Sequence, residues 1–233
     1  MHSMSATAVN FPGASLRFWQ TTVGKKAVMA VTGFILFGFV VGHLLGNLQI
    51  FLPPEKINHY SATLKSLPAL LWGARITLLL SVGLHIWSSF QLWLLQREAR
   101  PINYVKKANL NSTYASRTML WSGPIIAAFV IFHLLHFTFG TVHPGGRFDE
   151  HNVYNNVVTG FQVWPVSLFY IIAMILLCYH LYHGLWSMFQ SLGFSHPVYT
   201  PWLKLFAKVV AILIAAGNIS IPVAVLAGFI KPV

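Results

Sequence analysis

The sequence predicts an all-α integral membrane bundle of five transmembrane helices, with the whole chain, 1–233, forming one domain. Three observations carry this expectation. The chain is 56% hydrophobic and only 8% charged, with a mean hydropathy of +0.65, whereas a soluble domain carries about 25% charged residues. Five apolar runs each reach the roughly 20 residues that a helix needs to cross a ~30 Å hydrocarbon core. Turn-forming residues punctuate the intervals between them, at Pro53-Pro54, Pro101, Pro144-Gly145-Gly146 and Pro197.

The first run extends from about Lys26 to Phe51. It is too long for a signal-peptide core and no small-residue cleavage site follows, so it is expected to be retained as span one. The second runs from about Pro68 to Leu95 and the third from about Thr118 to Thr141. The fourth covers about Trp164 to Leu192 and the fifth about Trp202 to Phe229. The longest connection, from about Val142 to Val163, is too short for a separate core. It is expected to form a surface cap or a short helix.

The net charge is +11, from 15 Lys and Arg against 4 acids. The basic residues cluster between apolar runs instead of forming one stripe, which disfavours nucleic-acid binding and points to the positive-inside rule. Arg17, Lys25, Lys26, Arg97, Arg100, Lys106, Lys107, Arg117, Lys204 and Lys208 fall on one side of the bundle. Only Lys56, Lys65, Arg147 and Lys231 fall on the other. The N-terminus is therefore expected in the cytoplasm and the C-terminus outside, in a multi-pass protein of the cytoplasmic (inner) membrane. The single cysteine, Cys178, excludes an internal disulfide and a c-type haem attachment motif.

Four of the spans carry a histidine at depth: His43, His85, His133 and His180. An ionisable side chain in hydrocarbon is costly and marks a functional site by default. At 1.5 Å per residue, His43 lies ~27 Å from Lys25 and His133 ~24 Å from Arg117. His85 lies ~18 Å from Arg97 and His180 ~20 Å from Gly193. The four sort into an outer tier, His43 with His133, and an inner tier, His85 with His180. Stacked bis-histidine haems require such tiers, since each iron takes one imidazole from each of two facing helices. A carboxylate-bridged di-iron centre is disfavoured because it needs Glu from several helices and the spans contain no acid. A histidine proton relay in a transporter is an alternative of another class.

His133 and His180 each begin a doublet, His-Leu-Leu-His and His-Leu-Tyr-His. Residues three apart share a helix face, so depth alone does not choose between His133 and His136, or between His180 and His183. Gly38, Gly42 and Gly46 form a small-residue face around His43, suited either to a macrocycle or to helix packing. Ala207, Ala211 and Ala215 repeat that spacing on span five, where packing is the better account. Arg75 is a charge inside span two. It is placed either to neutralise haem propionates with its guanidinium fork or to snorkel to the headgroups.

Several stretches together resemble one family. They are Phe39-Val40-Val41-Gly42-His43-Leu44-Leu45-Gly46-Asn47, the His85 span, Phe132-His133-Leu134-Leu135-His136, and Tyr179-His180-Leu181-Tyr182-His183-Gly184-Leu185-Trp186-Ser187. The chain is similar, from about Leu16 to the last span, to the five-helix, single-subunit di-haem cytochrome b anchors of succinate dehydrogenase and fumarate reductase. The resemblance implies two b haems as cofactors. His43 and His133 would hold the haem distal to the cytoplasmic subunits, and His85 and His180 the proximal one. It also selects the first histidine of each doublet as the ligand and leaves His136 and His183 as hydrogen-bonding neighbours.

The same resemblance implies an iron–sulfur subunit and a flavoprotein subunit as partners on the cytoplasmic side, with no dicarboxylate chemistry in this chain. Electrons would pass between succinate or fumarate at the flavin and a membrane quinone. The di-haem form points to menaquinone. The family's quinone site lies near the distal haem and uses an outer carboxylate. Glu55, Asp149 and Glu150 are the outer acids, but none aligns with the family glutamate; His59 and Tyr60 are further candidates. For Asp149 and Glu150 a solvated loop is the competing reading. The cytochrome b subunit of a formate dehydrogenase or hydrogenase is the nearest alternative, distinguished by its partner subunits.

Overall fold

The computed structural model describes residues 18–99 and 112–233; Leu16, Arg17, Arg100, Pro101, Lys106 and Lys107 lie outside them. All regular elements among the described residues are helical. Helix α1 (Thr22–Asn47) runs on through a 3-10 turn at Leu48–Phe51, and α2 (Pro54–Lys65) follows. Then come α3 (Pro68–Glu98) and α4 (Tyr114–His133), the latter passing into a π-helical turn at Leu134–Thr138. The chain closes with α5 (Val153–Gln162), α6 (Trp164–Ser191) and α7 (Thr200–Leu226). Among the described residues, five helices are long and apolar enough to cross a membrane: Thr22–Phe51, Pro68–Glu98, Tyr114–Thr138, Trp164–Ser191 and Thr200–Leu226. Each coincides with an expected run.

Local chemistry sets the helix starts. The Thr21 hydroxyl accepts from the Gly24 amide at 2.9 Å and opens α1. The Thr113 hydroxyl accepts from the Ser116 amide at 3.1 Å and opens α4 four residues before the expected start at Thr118. Arg117 therefore sits in the first turn of α4, its guanidinium 5.9 Å from the centre of the Tyr114 ring. Prolines occupy the first turn of α2, α3, α6 and α7, where the missing N–H costs nothing.

Helix α1 packs against α3 and α6, and α6 packs against α4 and α7. Neither α1 and α4 nor α3 and α6 pack along their lengths. Small residues permit the close contacts. Ala207, Ala211 and Ala215 are almost fully buried in α7, so packing explains that stripe. On α3 the buried positions are Ser81, Ser88 and Leu92, one stripe at helical spacing. The glycines of α1 divide. A Cβ on Gly46 would come within 2.8 Å of the Tyr60 ring, whereas one on Gly38 or Gly42 would meet nothing within 4 Å. Packing accounts for Gly46 and for neither of the other two.

One end of the bundle is capped by α2 and α5. Asn58 of α2 donates from Nδ2 to Asn152 Oδ1 at 3.3 Å and accepts the Tyr154 amide on Oδ1 at 2.9 Å. Lys65 Nζ donates to the Glu150 carbonyl. The tail is held by Tyr154 Oη, which donates to the Lys231 carbonyl at 3.1 Å, and by the Asn155 side chain on Val233. Beneath the cap, Ile57, Val158, Phe161, Phe129, Tyr170 and Val225 belong to one apolar core. The expected cap or short helix in the 142–163 connection is α5. Helix α2 was not foreseen, because its twelve residues have a negative mean hydropathic character and no capping side chain.

Candidate functional site

The structure brings together two pairs of histidines. His43 of α1 and His133 at the end of α4 have ring centroids 5.7 Å apart and planes at 87°. His85 of α3 and His180 of α6 have centroids 6.3 Å apart and planes at 56°. Each pair spans two helices that do not pack on one another, α1 with α4 and α3 with α6. The rings meet where the backbones stand apart. Two imidazoles placed trans on one metal, at ~2 Å per bond, have centroids ~6 Å apart. Both pairs fit that spacing.

The tautomer of His85 follows from its partners. Its Nδ1 lies 3.2 Å from the Met29 carbonyl and 3.2 Å from the Thr32 hydroxyl oxygen. A carbonyl only accepts, so Nδ1 carries the proton. The Thr32 hydroxyl spends its own proton on the Val28 carbonyl at 2.7 Å, leaving its oxygen as a second acceptor. Nε2 of His85 is then the basic nitrogen, the one that can bind a metal. Gly33 lets α1 come this close, since a Cβ there would stand 3.3 Å from His85 Cε1.

His133 is held differently. Its Nδ1 lies 3.3 Å from Tyr170 Oη, and the same hydroxyl lies 3.0 Å from Nδ1 of His136. His136 is fully buried. The π-helical turn at Leu134–Thr138, closed by the Phe139 amide on the Leu134 carbonyl at 2.9 Å, begins directly after His133 and contains His136. Such turns re-aim side chains and recur at functional sites. On α6, Nδ1 of His180 is buried without a hydrogen-bond partner among the described residues, and so is Nδ1 of His183. His183 stands edge-on to Trp186 at 5.5 Å.

The remaining candidates are scattered. Arg75 places its guanidinium 5.1 Å from the centre of the Trp72 ring, one turn back along α3. Tyr60 reaches the bundle, with its ring against Gly46, three residues beyond His43. Glu55 and His59 are exposed on α2. Asp149 is tied into its own loop, accepting the His151 amide on Oδ1 at 2.9 Å while its backbone clasps Asn156. Glu150 pairs with His151 at 3.4 Å on the surface. Both loop acids thus have local partners. Among the described residues no group of three or more His, Cys, Asp or Glu converges to hold a metal ion. The histidines assemble as pairs, which suits a centre whose remaining ligands come from a macrocycle.

Sequence reasoning missed Thr32, Tyr170 and His143. The signal for Tyr170 was present: a phenol inside an apolar span needs a partner for its hydroxyl. His143, in the loop after span three, lies with its ring 5.0 Å from that of His136 and its Nε2 3.4 Å from the Thr159 hydroxyl.

Comparison with protein families matches residues 94–218 to the succinate dehydrogenase/fumarate reductase transmembrane subunit. The chain belongs to this family. The matched segment contains α4, the π-turn, α5, α6 and most of α7, and with them His133 and His180. The family is the membrane subunit of a redox enzyme complex, is of the cytochrome b type, and in general binds haem. Membership decides against the cytochrome b subunits of formate dehydrogenase or hydrogenase. No curated protein and no solved structure matches the chain.

Proposed function

We propose that this membrane subunit is the quinone-reactive, di-haem cytochrome b anchor of a succinate:quinone oxidoreductase. His43 and His133 hold one haem b, and His85 and His180 hold the other. The observation that carries this reading is the pairing of rings across helices that do not pack, together with the Nδ1–H tautomer of His85, which leaves Nε2 basic. Bound haem supplies a one-electron iron couple whose potential follows its axial ligands, burial and nearby charge.

The chain's own residues do the rest. Met29 and Thr32 hold His85 in one orientation, and Tyr170 meets His133. The apolar walls of α1, α3, α4 and α6 exclude water from both pairs. The end of the bundle with Lys25, Lys26, Arg97, Arg117, Lys204 and Lys208 faces the cytoplasm under the positive-inside rule, and docks the iron–sulfur subunit that carries the flavoprotein. The end capped by α2 and α5 faces outside. There a quinone, menaquinone by family resemblance, reacts near the His43–His133 pair. Tyr60 is the best placed of Glu55, His59, Tyr60, Asp149 and Glu150 to contact it, since only its ring is seen to reach α1 beside His43. Arg75 balances propionate charge from its position inside span two.

The test is a reduced-minus-oxidised visible spectrum of the purified complex, with haem stoichiometry and subunit identification. The expected result is a b-type spectrum, two haems per chain, and co-purifying flavoprotein and iron–sulfur subunits. A complex without a b-type band, or one containing a molybdenum or nickel subunit instead, overturns the proposal.

A further inference from the structure

The two histidine pairs are anchored unequally. His85 donates to a backbone carbonyl, which fixes its proton on Nδ1 without help from any other side chain. Among the described residues His133 has no such carbonyl, and its Nδ1 meets only a hydroxyl, Tyr170 Oη at 3.3 Å, which can donate or accept. The tautomer of His133 is therefore open until the proton of Tyr170 is committed elsewhere.

His136 commits it. Tyr170 Oη lies 3.0 Å from His136 Nδ1, closer than to His133. Two arrangements commit the phenol proton to an imidazole, whereas a third, with both Nδ1–H groups donating to the phenol oxygen, leaves that proton without an acceptor among the described residues. In one, His136 donates to the phenol oxygen and the phenol donates to His133, which puts the His133 proton on Nε2 and removes its metal-binding lone pair. In the other, the phenol donates to His136, and its oxygen accepts from Nδ1–H of His133. Of these two, the second leaves Nε2 of His133 basic. The packing supports a fixed arrangement. Tyr170 is nearly buried among Phe129, Phe132, Phe137 and Phe161, with centroids 4.9–6.1 Å away. His136 is stacked on Phe137 at 3.8 Å. Gly160 accepts the edge of the His136 ring, for a Cβ there would stand 2.7 Å from Nε2.

We propose that Tyr170 and His136 are positioning residues for the distal haem: the phenol accepts from Nδ1–H of His133 and donates to Nδ1 of His136, so that His133 presents Nε2 as the ligand. This rests on the reading of His43 and His133 as a haem pair. A donated Nδ1 proton also makes the imidazole a stronger ligand, which favours the oxidised iron and lowers the potential of that haem relative to an unsupported one.

Tyr170→Phe keeps the ring and its packing and removes the hydroxyl. In redox titrations of the intact complex, the distal haem of this variant is expected to move to higher potential, and its low-spin ferric EPR signal to shift. The proximal haem stays unchanged. His136→Leu, which removes the acceptor, moves the distal haem in the same direction. His136→Asn, whose side-chain oxygen stands near the place of Nδ1, restores most of the native value. Loss of the distal haem alone in Tyr170→Phe supports the proposal, because the retained proximal haem shows an intact bundle. Two haems with native potentials and EPR signals in both Tyr170→Phe and His136→Leu overturn it, as does an equal shift or loss of both haems. A native complex without haem refutes the proposed function instead, which keeps the two failures distinct.

Discussion

Nδ1 of His85 on α3 lies 3.2 Å from the hydroxyl oxygen of Thr32 on α1. This contact joins the two helices at the depth of the inner histidine pair, and it shares its donor with the Met29 carbonyl. Thr32→Val keeps the side-chain shape and removes one acceptor. Since Met29 still fixes the tautomer, both haems are expected to remain, at a cost of about 1 kcal/mol for the lost hydrogen bond. Thermal loss of the haem absorbance measures this. Disappearance of the proximal haem would show that the carbonyl alone does not hold His85.

Gly46 and Tyr60 give a second test. A side chain at Gly46 meets the Tyr60 ring at 2.8 Å. Tyr60 lies at the surface and can swing away. Gly46→Leu is expected to displace it, with an overpacking cost of ~1–3 kcal/mol. Quinone reduction falls while both haems stay. Tyr60→Phe separates the ring from its hydroxyl. Unchanged quinone kinetics in Gly46→Leu would remove Tyr60 from the site.

Asn58 caps α5 from another helix, supplying an acceptor for the Tyr154 amide and a donor for Asn152. Asn58→Ala leaves the Tyr154 amide without its partner, which costs ~1–3 kcal/mol. Hydrogen exchange should quicken across 153–162 and stay native in α6. Native protection throughout would show that the apolar core beneath α5 suffices.

His143 makes the capped end sensitive to pH. Burial lowers its pKa below the ordinary histidine value, more than the nearby His136 carbonyl raises it. The unfolded chain therefore binds a proton near pH 6.5, while the folded one resists until lower pH. Stability at this end is full above about pH 6.5 and falls as pH drops through the depressed folded value. His143→Asn should flatten that part of the stability–pH curve. An identical curve in the variant would place the titration elsewhere.

The five spans were legible because each is a long apolar run, and span length is set by the bilayer. Helix rise and alternating direction sort the four histidines into two tiers, and the family resemblance selects the first histidine of each doublet; the structure brings the rings of His43 and His133 together, and those of His85 and His180. What stayed hidden depends on geometry that no periodicity records. The π-turn after His133 looks like ordinary helix in the sequence. The phenol of Tyr170 calls for a partner inside its apolar span, but which partner shows only when α4 and α6 are brought together. Helix α2 lacks both an apolar run and a side-chain cap. Gly38, Gly42 and Gly46 share one spacing, yet only Gly46 touches another helix.

In the proposed arrangement four histidines hold two haems, in the pairs His43–His133 and His85–His180. The most direct measurement is the visible and EPR spectrum of the intact complex with each histidine replaced singly by Ala. Replacing His43 or His133 should remove one and the same haem component, and replacing His85 or His180 the other. A b-type spectrum untouched by all four replacements, or one component lost on replacing His43 and another on replacing His133, would contradict the claim.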